Sequence, residues 1–217
     1  MARNKGLEMA AGDYYGFVDS DDEIDKNYYE ALYEKAKETG AQVVKCERRT
    51  FELDGRTWES HLNYEIREND DLYFTHEWWC GLYKASLIKD NGIRFADELI
   101  KAQDIVFLTE VLLKKTTPLA FVDGVYYNYY KRADSLDGLK IPLESIKSAV
   151  KARKYQVSSI NKCGLYGKKR DVYFYLYLEY LDNIVDSIAF QNDSFEAKLE
   201  CAKGVICIYN LCKDREY

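Results

Sequence analysis

No uninterrupted apolar run in this 217-residue chain approaches the roughly 20 residues that cross a bilayer. The N-terminus also lacks the apolar core of a signal peptide, so the expectation is a cytoplasmic protein. No Lys/Arg run is dense enough to mark a phosphate-backbone footprint, and 31 basic against 37 acidic residues leave a net charge of -6, which argues against nucleic acid as a partner. The six cysteines, Cys46, Cys80, Cys163, Cys201, Cys207 and Cys212, contain no C-x-x-C pair; they indicate neither a zinc site nor a disulfide framework and read as reduced, mostly buried thiols. The only two histidines, His61 and His76, lack partners at metal-ligand spacing. There is no G-x-G-x-x-G or Walker-type loop, and no Ser, His and Asp grouping that suggests hydrolytic triad chemistry.

What the chain does have is apolar content, 47% of its residues, enough to bury the core of one domain or of one domain plus an appendage. Twenty tyrosines stand out against two prolines, and they gather at Tyr14-Tyr15, Tyr28-Tyr29, Tyr126-Tyr127, Tyr129-Tyr130 and residues 173–180. A ring with a polar tip suits partly wet interiors and sugar-stacking surfaces alike, and core packing is the commoner placement.

Residues 3–11 read as a short helix stopped by Gly12-Asp13, and residues 14–18 as a strand that ends in Asp19, Asp21 and Asp22. Ligands of open α/β sheets bind outside the carboxyl ends of strands, which is where these acids fall. Asp25 or Asn27 can cap a helix to about Thr39, with Tyr29, Leu32, Tyr33 and Ala36 on one face and Gly40 at its stop. Residues 41–46 read as a strand, and Asp54-Gly55 as the turn of a hairpin between residues 50–53 and 56–59. Residues 75–91 show helical spacing through Trp78, Trp79, Leu82, Leu87 and Ile88, and a short strand at residues 93–95 follows. Asp104 opens a helix with Ile105, Leu108, Val111 and Leu112 on one face and Lys114 and Lys115 at its end. Residues 119–122 and 125–130 read as two strands separated by Asp123-Gly124. From Pro142 the spacing is helical, through residues 173–188 and again along Phe195, Leu199, Ala202, Ile206 and Tyr209. The expected division is an α/β portion over residues 1–140 and a helical portion over residues 141–217.

Two carboxylates one residue apart at a strand end can share the handling of a cation-bound diphosphate, one holding the ion and one the rest of the nucleotide. The same acids have a bland reading as a solvated, helix-capping loop. Asp19, Asp21, Glu23, Asp25 and Glu30 also match the alternating ligands of a calcium loop, but Ile24 stands where its sharp turn calls for glycine and a strand-like segment enters it.

The turn Ala2-Arg3-Asn4-Lys5-Gly6, the strand after it and the run Phe17-Val18-Asp19-Ser20-Asp21-Asp22 resemble, in order and spacing, the second half of the nucleotide-binding region of family 2 glycosyltransferases. Trp78 to Lys84, then Gly92-Ile93-Arg94-Phe95, then Gln103-Asp104 opening a helix, is similar to that family's later block, and Tyr126 to Arg132 ending in Ser135 is similar to its Y-x-Y-R-x-x-x-S strand. The resemblance covers residues 2 to about 135. It implies an α/β fold, an N-terminally truncated GT-A mixed sheet with a helical C-terminal portion. It further implies an inverting, metal-dependent transfer of a sugar from a nucleotide-sugar donor, UDP-linked, to a saccharide or lipid-linked acceptor, as in capsule or exopolysaccharide synthesis. In that scheme Asp21 is the ligand of a Mg or Mn ion, Asp19 contacts the donor and is the second candidate ligand, and Asp22 supports them. Arg3 and Asn4 contact the nucleotide or diphosphate, Lys131 or Arg132 reaches the donor phosphates, and Asp104 is the general base. Gln103 stands where the family has glutamate and Gly81 where lysine is common, which bears on the charge of the acceptor site.

Members of that family carry further β-α-β units before the A-R-N-x-G turn, whereas here Met1 precedes it directly. Unpaired sheet edges are avoided, so the expectation is a homo-oligomer over the truncated sheet, cover by the hairpin and C-terminal helices, or a fragment of a longer protein. The alternative function is a catalytically impaired binding or interaction module on the same scaffold. Lys168, Lys169 and Arg170 offer peripheral contact with anionic lipid at the inner face of a membrane.

Overall fold

The computed structural model describes residues 2–60, 77–132, 142–163 and 194–213. Residues 173–188, both histidines, Ser135 and the Lys168, Lys169 and Arg170 cluster lie outside the described residues. The chain divides into two compact units, residues 1–95 with 110–135, and residues 96–109 with 136–217.

In the first unit the run Val43–Phe51 alternates its side chains between two packed layers and forms the central strand β3, taking Tyr14–Gly16 as β1 and Glu23–Ile24 as β2. Thr57–Ser60 is β4, joined to β3 by the Asp54-Gly55 hairpin read in the sequence. Gly81–Lys84 is β5 and Ala120–Tyr130 is β6. The sheet order is β1-β5-β3-β6-β2, with β4 paired to the far part of β3. β5 is antiparallel to both β1 and β3, and β6 is parallel to β3, so β1, β3 and β6 run in one direction and their carboxyl ends share one end of the sheet.

Among the described residues three helices belong wholly to this unit: α1, Ala2–Met9; α2, Tyr28–Thr39; and α3, Ala85–Asp90. α2 ends at Gly40, φ 68°, as the sequence indicates, but its buried stripe is Tyr28, Leu32 and Ala36, while Tyr29 and Tyr33 are exposed. That stripe packs on Val44, Cys46, Cys80, Leu82, Ala120 and Tyr127 of the sheet. On the opposite face Tyr83, Phe17, Trp78 and Phe95 form an aromatic layer, with Phe17 ring centroids 4.8 Å from Trp78 and 5.6 Å from Phe95.

The expected helix over residues 75–91 is corrected to a strand followed by a short helix, since β5 occupies Gly81–Lys84 and only Ala85–Asp90 is helical. Tertiary pairing overrides the apolar spacing, because this segment fills the gap between β1 and β3. Gly81 makes that possible: a Cβ there would meet the Val44 carbonyl oxygen at 2.7 Å. The two strands expected around Asp123-Gly124 are one strand, β6, with a bulge, because both halves pair with β3 in the same direction and no reversal occurs.

In the second unit, Leu99, Ile105 and Ala152 are buried together with Ala96, Ala102 and Val106 against them. The Ser148 hydroxyl accepts a bond from the Lys101 amide (3.0 Å) and donates one to the Lys101 carbonyl (2.7 Å). Gln103–Lys114 is α4, whose first turns lie in this unit, and Leu143–Lys162 and Phe195–Lys213 are α5 and α6. α6 is helical as its periodicity indicates, but the buried face carries Cys201, Val205 and Ile208, with Phe195, Leu199 and Ile206 exposed. Gly204 decides this, since a Cβ there would meet Val150 Cγ1 of α5 at 2.7 Å, so the glycine-bearing face is the one that can approach closely.

Gly81→Ala is expected to cost about 1–3 kcal/mol through overpacking against backbone that cannot move without breaking β3–β5 pairing. Urea unfolding would register it as a lower midpoint at similar slope, and an unchanged midpoint would contradict the β3–β5 register.

Candidate functional site

The acidic run leaves the sheet at the end of β1 and is caught at once by β6. The Asp19 amide donates to the Tyr127 hydroxyl at 3.0 Å, and that hydroxyl donates to Asp22 Oδ2 at 2.9 Å. Asp22 Oδ1 accepts the Tyr130 amide at 3.1 Å, and the Asp22 amide closes a turn onto the Asp19 carbonyl at 3.1 Å. Further along, Asp25 accepts from the Tyr126 amide and from Asn128 Nδ2, both at 3.0 Å. The carboxylate expected to cap α2 is thus consumed by β6, and Asn27 occupies the N-cap position without a side-chain bond.

These bonds sort the acids by role. Both Asp22 oxygens are used by β6, which makes it the anchor of the loop. Burial pushes its carboxyl above the usual range, opposed by the Tyr130 and Tyr127 bonds and reinforced by Asp21 and Asp19 nearby. A folded pKa above the unfolded one means this group's contribution to stability is fully present below the ordinary carboxylate pKa and is lost as pH rises through the folded value. Burial and the bonded Asp22 likewise hold the Tyr127 hydroxyl far above its ordinary pKa, so it is protonated and able to donate.

Asp19 and Asp21 remain turned outward, 40% and 35% exposed, and each meets a guanidinium. Asp19 Oδ1 lies 3.3 Å from Arg3 Nη2, and Asp21 Oδ2 lies 2.8 Å from Arg132 Nη2. Arg3 is placed by α1 and by aromatic shelves, its guanidinium carbon 4.8 Å from the Trp78 ring and 5.6 Å from Phe95. Asn4, 3% exposed, gives its Nδ2 to the Phe95 carbonyl (2.8 Å) and receives the Phe95 amide on Oδ1 (2.9 Å), which ties α1 to that shelf. Of the two basic residues after β6, Lys131 turns to Glu52 at 2.9 Å and Arg132 alone of the pair is seen on the acidic loop.

The structure therefore brings Arg3, Asp19, Asp21, Asp22 and Arg132 together at the carboxyl ends of β1 and β6. Asp104 is in the second unit, in the first turn of α4, directly after Ala102 at φ 65° and Gln103, whose amide donates to the Leu99 carbonyl. A left-handed alanine is backbone strain of the kind that persists where surrounding structure imposes it, often beside functional groups. Trp78 is 2% exposed and Trp79 is packed against the α2-side core, so core packing accounts for both. The sequence reading missed Tyr127. Its signal was the alternation of Tyr127 and Tyr129 on one face of β6, opposite an acidic loop in need of donors.

Among the described residues no group of three or more His, Cys, Asp or Glu side chains is placed to hold a metal ion. What Asp19 and Asp21 offer is a pair of outward carboxylates, the hard oxygen donors that suit Mg2+ or Mn2+ when substrate phosphates and water supply the other ligands. Within that limit the residues fit such an ion.

Comparison with known proteins bears on this geometry directly. Residues 1–96 match Glycosyl transferase family 2. The matched segment contains α1, the acidic loop and β1 to β5, so the resemblance read in the sequence is supported over the part that carries Arg3, Asp19, Asp21 and Asp22. The chain is 32% identical over 153 residues, 64% of its length, to the uncharacterized glycosyltransferase YibD of Escherichia coli K12, covering 44% of that protein. It is 29% identical over 162 residues, 69% of its length, to a poly(ribitol-phosphate) beta-glucosyltransferase of Bacillus spizizenii, covering 25% of that protein. The chain spans about half the length, or less, of the curated relatives it matches. Staphylococcus aureus TarS 1–349, solved in complex with UDP-GlcNAc, superposes with a TM-score of 0.55 at 16% identity, over 97% of this chain and 70% of that one. That likeness establishes the α/β GT-A fold.

Tyr127→Phe removes one hydroxyl and leaves the Asp19 amide and Asp22 Oδ2 each short of a partner. The expected cost is about 1–3 kcal/mol, readable by chemical denaturation, and amide exchange at Asp19 should quicken relative to β3. Exchange at wild-type rates would remove the anchoring role given to this tyrosine.

Proposed function

We propose that this chain carries the donor site and base of an inverting, metal-dependent glycosyltransferase that moves a sugar from a UDP-linked donor to a saccharide or lipid-linked acceptor. The observation that carries the reading is the pair of outward carboxylates, Asp19 and Asp21, which lie inside the segment matched to the family and are each faced by an arginine at the carboxyl ends of strands that run in one direction. Asp21 is the cation ligand, with Asp19 as second ligand or donor contact. Arg3 contacts the nucleotide or diphosphate, and Asn4 acts with it by holding α1 against Phe95. A bound Mg2+ or Mn2+ would neutralise charge developing on the diphosphate leaving group. Arg132 adds a guanidinium suited to phosphate oxygens.

Asp104 is the base. An acid in the first turn of a helix is favoured in its ionised form, and it takes the proton of the acceptor hydroxyl as that oxygen attacks the anomeric carbon. The bond from that carbon to the diphosphate breaks, the diphosphate leaves with the electron pair, and one base opposite the leaving group gives inversion. In domain terms, residues 1–140 carry the transferase machinery and residues 141–217 a helical extension. The relatives' names, poly(ribitol-phosphate) beta-glucosyltransferase and the UDP-GlcNAc complex of TarS, favour a UDP-sugar donor and a polymer acceptor. No helix of the described residues is long and apolar enough to cross a membrane; a cytoplasmic site of action with peripheral membrane contact fits such an acceptor. Self-association over the sheet edge at β1 belongs to the same proposal.

With UDP-sugar and Mn2+, the full chain should release UDP, and Asp104→Asn should lower that rate by about 10²–10⁴-fold while leaving UDP affinity within about twofold. Asp21→Ala should abolish the Mn2+-dependent part of UDP binding in calorimetry. Turnover indifferent to Asp104, or donor binding indifferent to Asp21, would falsify the corresponding role.

A further inference from the structure

We infer that Arg132 and a divalent cation compete for the Asp21 carboxylate, and that the donor diphosphate resolves the competition by taking the guanidinium, so that cation and nucleotide bind cooperatively. This rests on the assignment of Asp21 as cation ligand above.

Three features of the loop carry the inference. First, Arg132 Nη2 approaches Asp21 Oδ2 to 2.8 Å, the length of a charge-assisted bond. That bond holds Oδ2 of Asp21, and a cation ligated by the same carboxylate would stand beside a second positive group that repels it. Second, the neighbouring acids leave no easy substitute. Both Asp22 oxygens are bound by Tyr127 and Tyr130, and Asp19 faces Arg3, which is held over Trp78 and Phe95. Third, Arg132 is the more exposed of the two arginines: it lies two residues past the last residue of β6 and its side chain is 52% exposed, against 39% for Arg3. A diphosphate supplies paired oxygens that the planar fork of a displaced guanidinium binds bidentately, and its own charge recruits the cation that displaces it. Lys131 has no part in the exchange because it pairs with Glu52 at 2.9 Å.

The test titrates Mn2+ into the full chain by electron paramagnetic resonance, with and without UDP, in wild type, Arg132→Gln, Lys131→Gln and Asp21→Asn. Arg132→Gln should bind Mn2+ alone about three- to fivefold more tightly, the gain from releasing one exposed ion pair, and should bind UDP more weakly. The enhancement of Mn2+ affinity that UDP confers on wild type should shrink in that variant. Lys131→Gln removes the same charge one residue away and should leave both quantities unchanged. Mn2+ affinity unchanged in Arg132→Gln, equal tightening in Lys131→Gln, or undiminished UDP enhancement would each overturn the exchange while Asp21 remains a ligand. Mn2+ binding that survives Asp21→Asn overturns the ligand assignment itself, and the exchange with it.

Discussion

One buried hydroxyl governs the arrangement of the acidic loop. The loop leaves β1 at one edge of the sheet and must reach β2 at the other, and β6 receives it on the way. Tyr127 accepts from the backbone at Asp19 and donates to the side chain of Asp22, so a single oxygen fixes both ends of the turn. The Tyr130 amide and the Tyr126 and Asn128 contacts to Asp25 extend the same clasp along the strand. Because Tyr127 is also core, packed under α2 with Tyr28 and Leu32, the placement of the acids is inherited from the hydrophobic layer and not from the loop's own sequence.

This division explains why three neighbouring aspartates behave differently. Asp22 is drawn inward, where its charge is costly and its oxygens are fully used, and it becomes part of the scaffold. Asp19 and Asp21 are held outward by the same bonds and meet arginines that arrive from opposite ends of the unit's sequence, one on α1 and one just beyond β6.

Much of the fold was legible because its signals are local. Gly40 as the stop of α2, the Asp54-Gly55 hairpin, the helix opened at Gln103-Asp104 and the acidic strand end all stand where spacing and turn chemistry put them. The failures share a cause, which is contact between segments distant in sequence. Trp78 to Ile88 has the spacing of a helix, yet the space between β1 and β3 demands an extended strand and Gly81 lets it enter. The outward turn of Phe195 and Ile206 on α6 follows from a glycine facing Val150, which apolar periodicity does not weigh. In the site, the acids and Arg132 were readable as charges, whereas Asn4 as a tie to Phe95 and Tyr127 as the clasp depend on partners 91 and 108 residues away.

The irregularity in β6 sets the phase of everything described at the site. Between the stretch opposite Val44 to Cys46 and the stretch opposite Glu47 to Phe51, Asp123, Gly124 and Val125 stand without counterparts on β3. Side chains of a strand alternate with a period of two, so the number of residues in that interruption determines whether Tyr127 or Tyr126 faces the α2 layer. Lengthening or shortening it by one would exchange the two tyrosines across the sheet, carrying the hydroxyl away from the aspartates while leaving every residue type in place. In this protein the identity of the clasp is thus a matter of counting, set by a stretch of β6 that precedes the tyrosine it places.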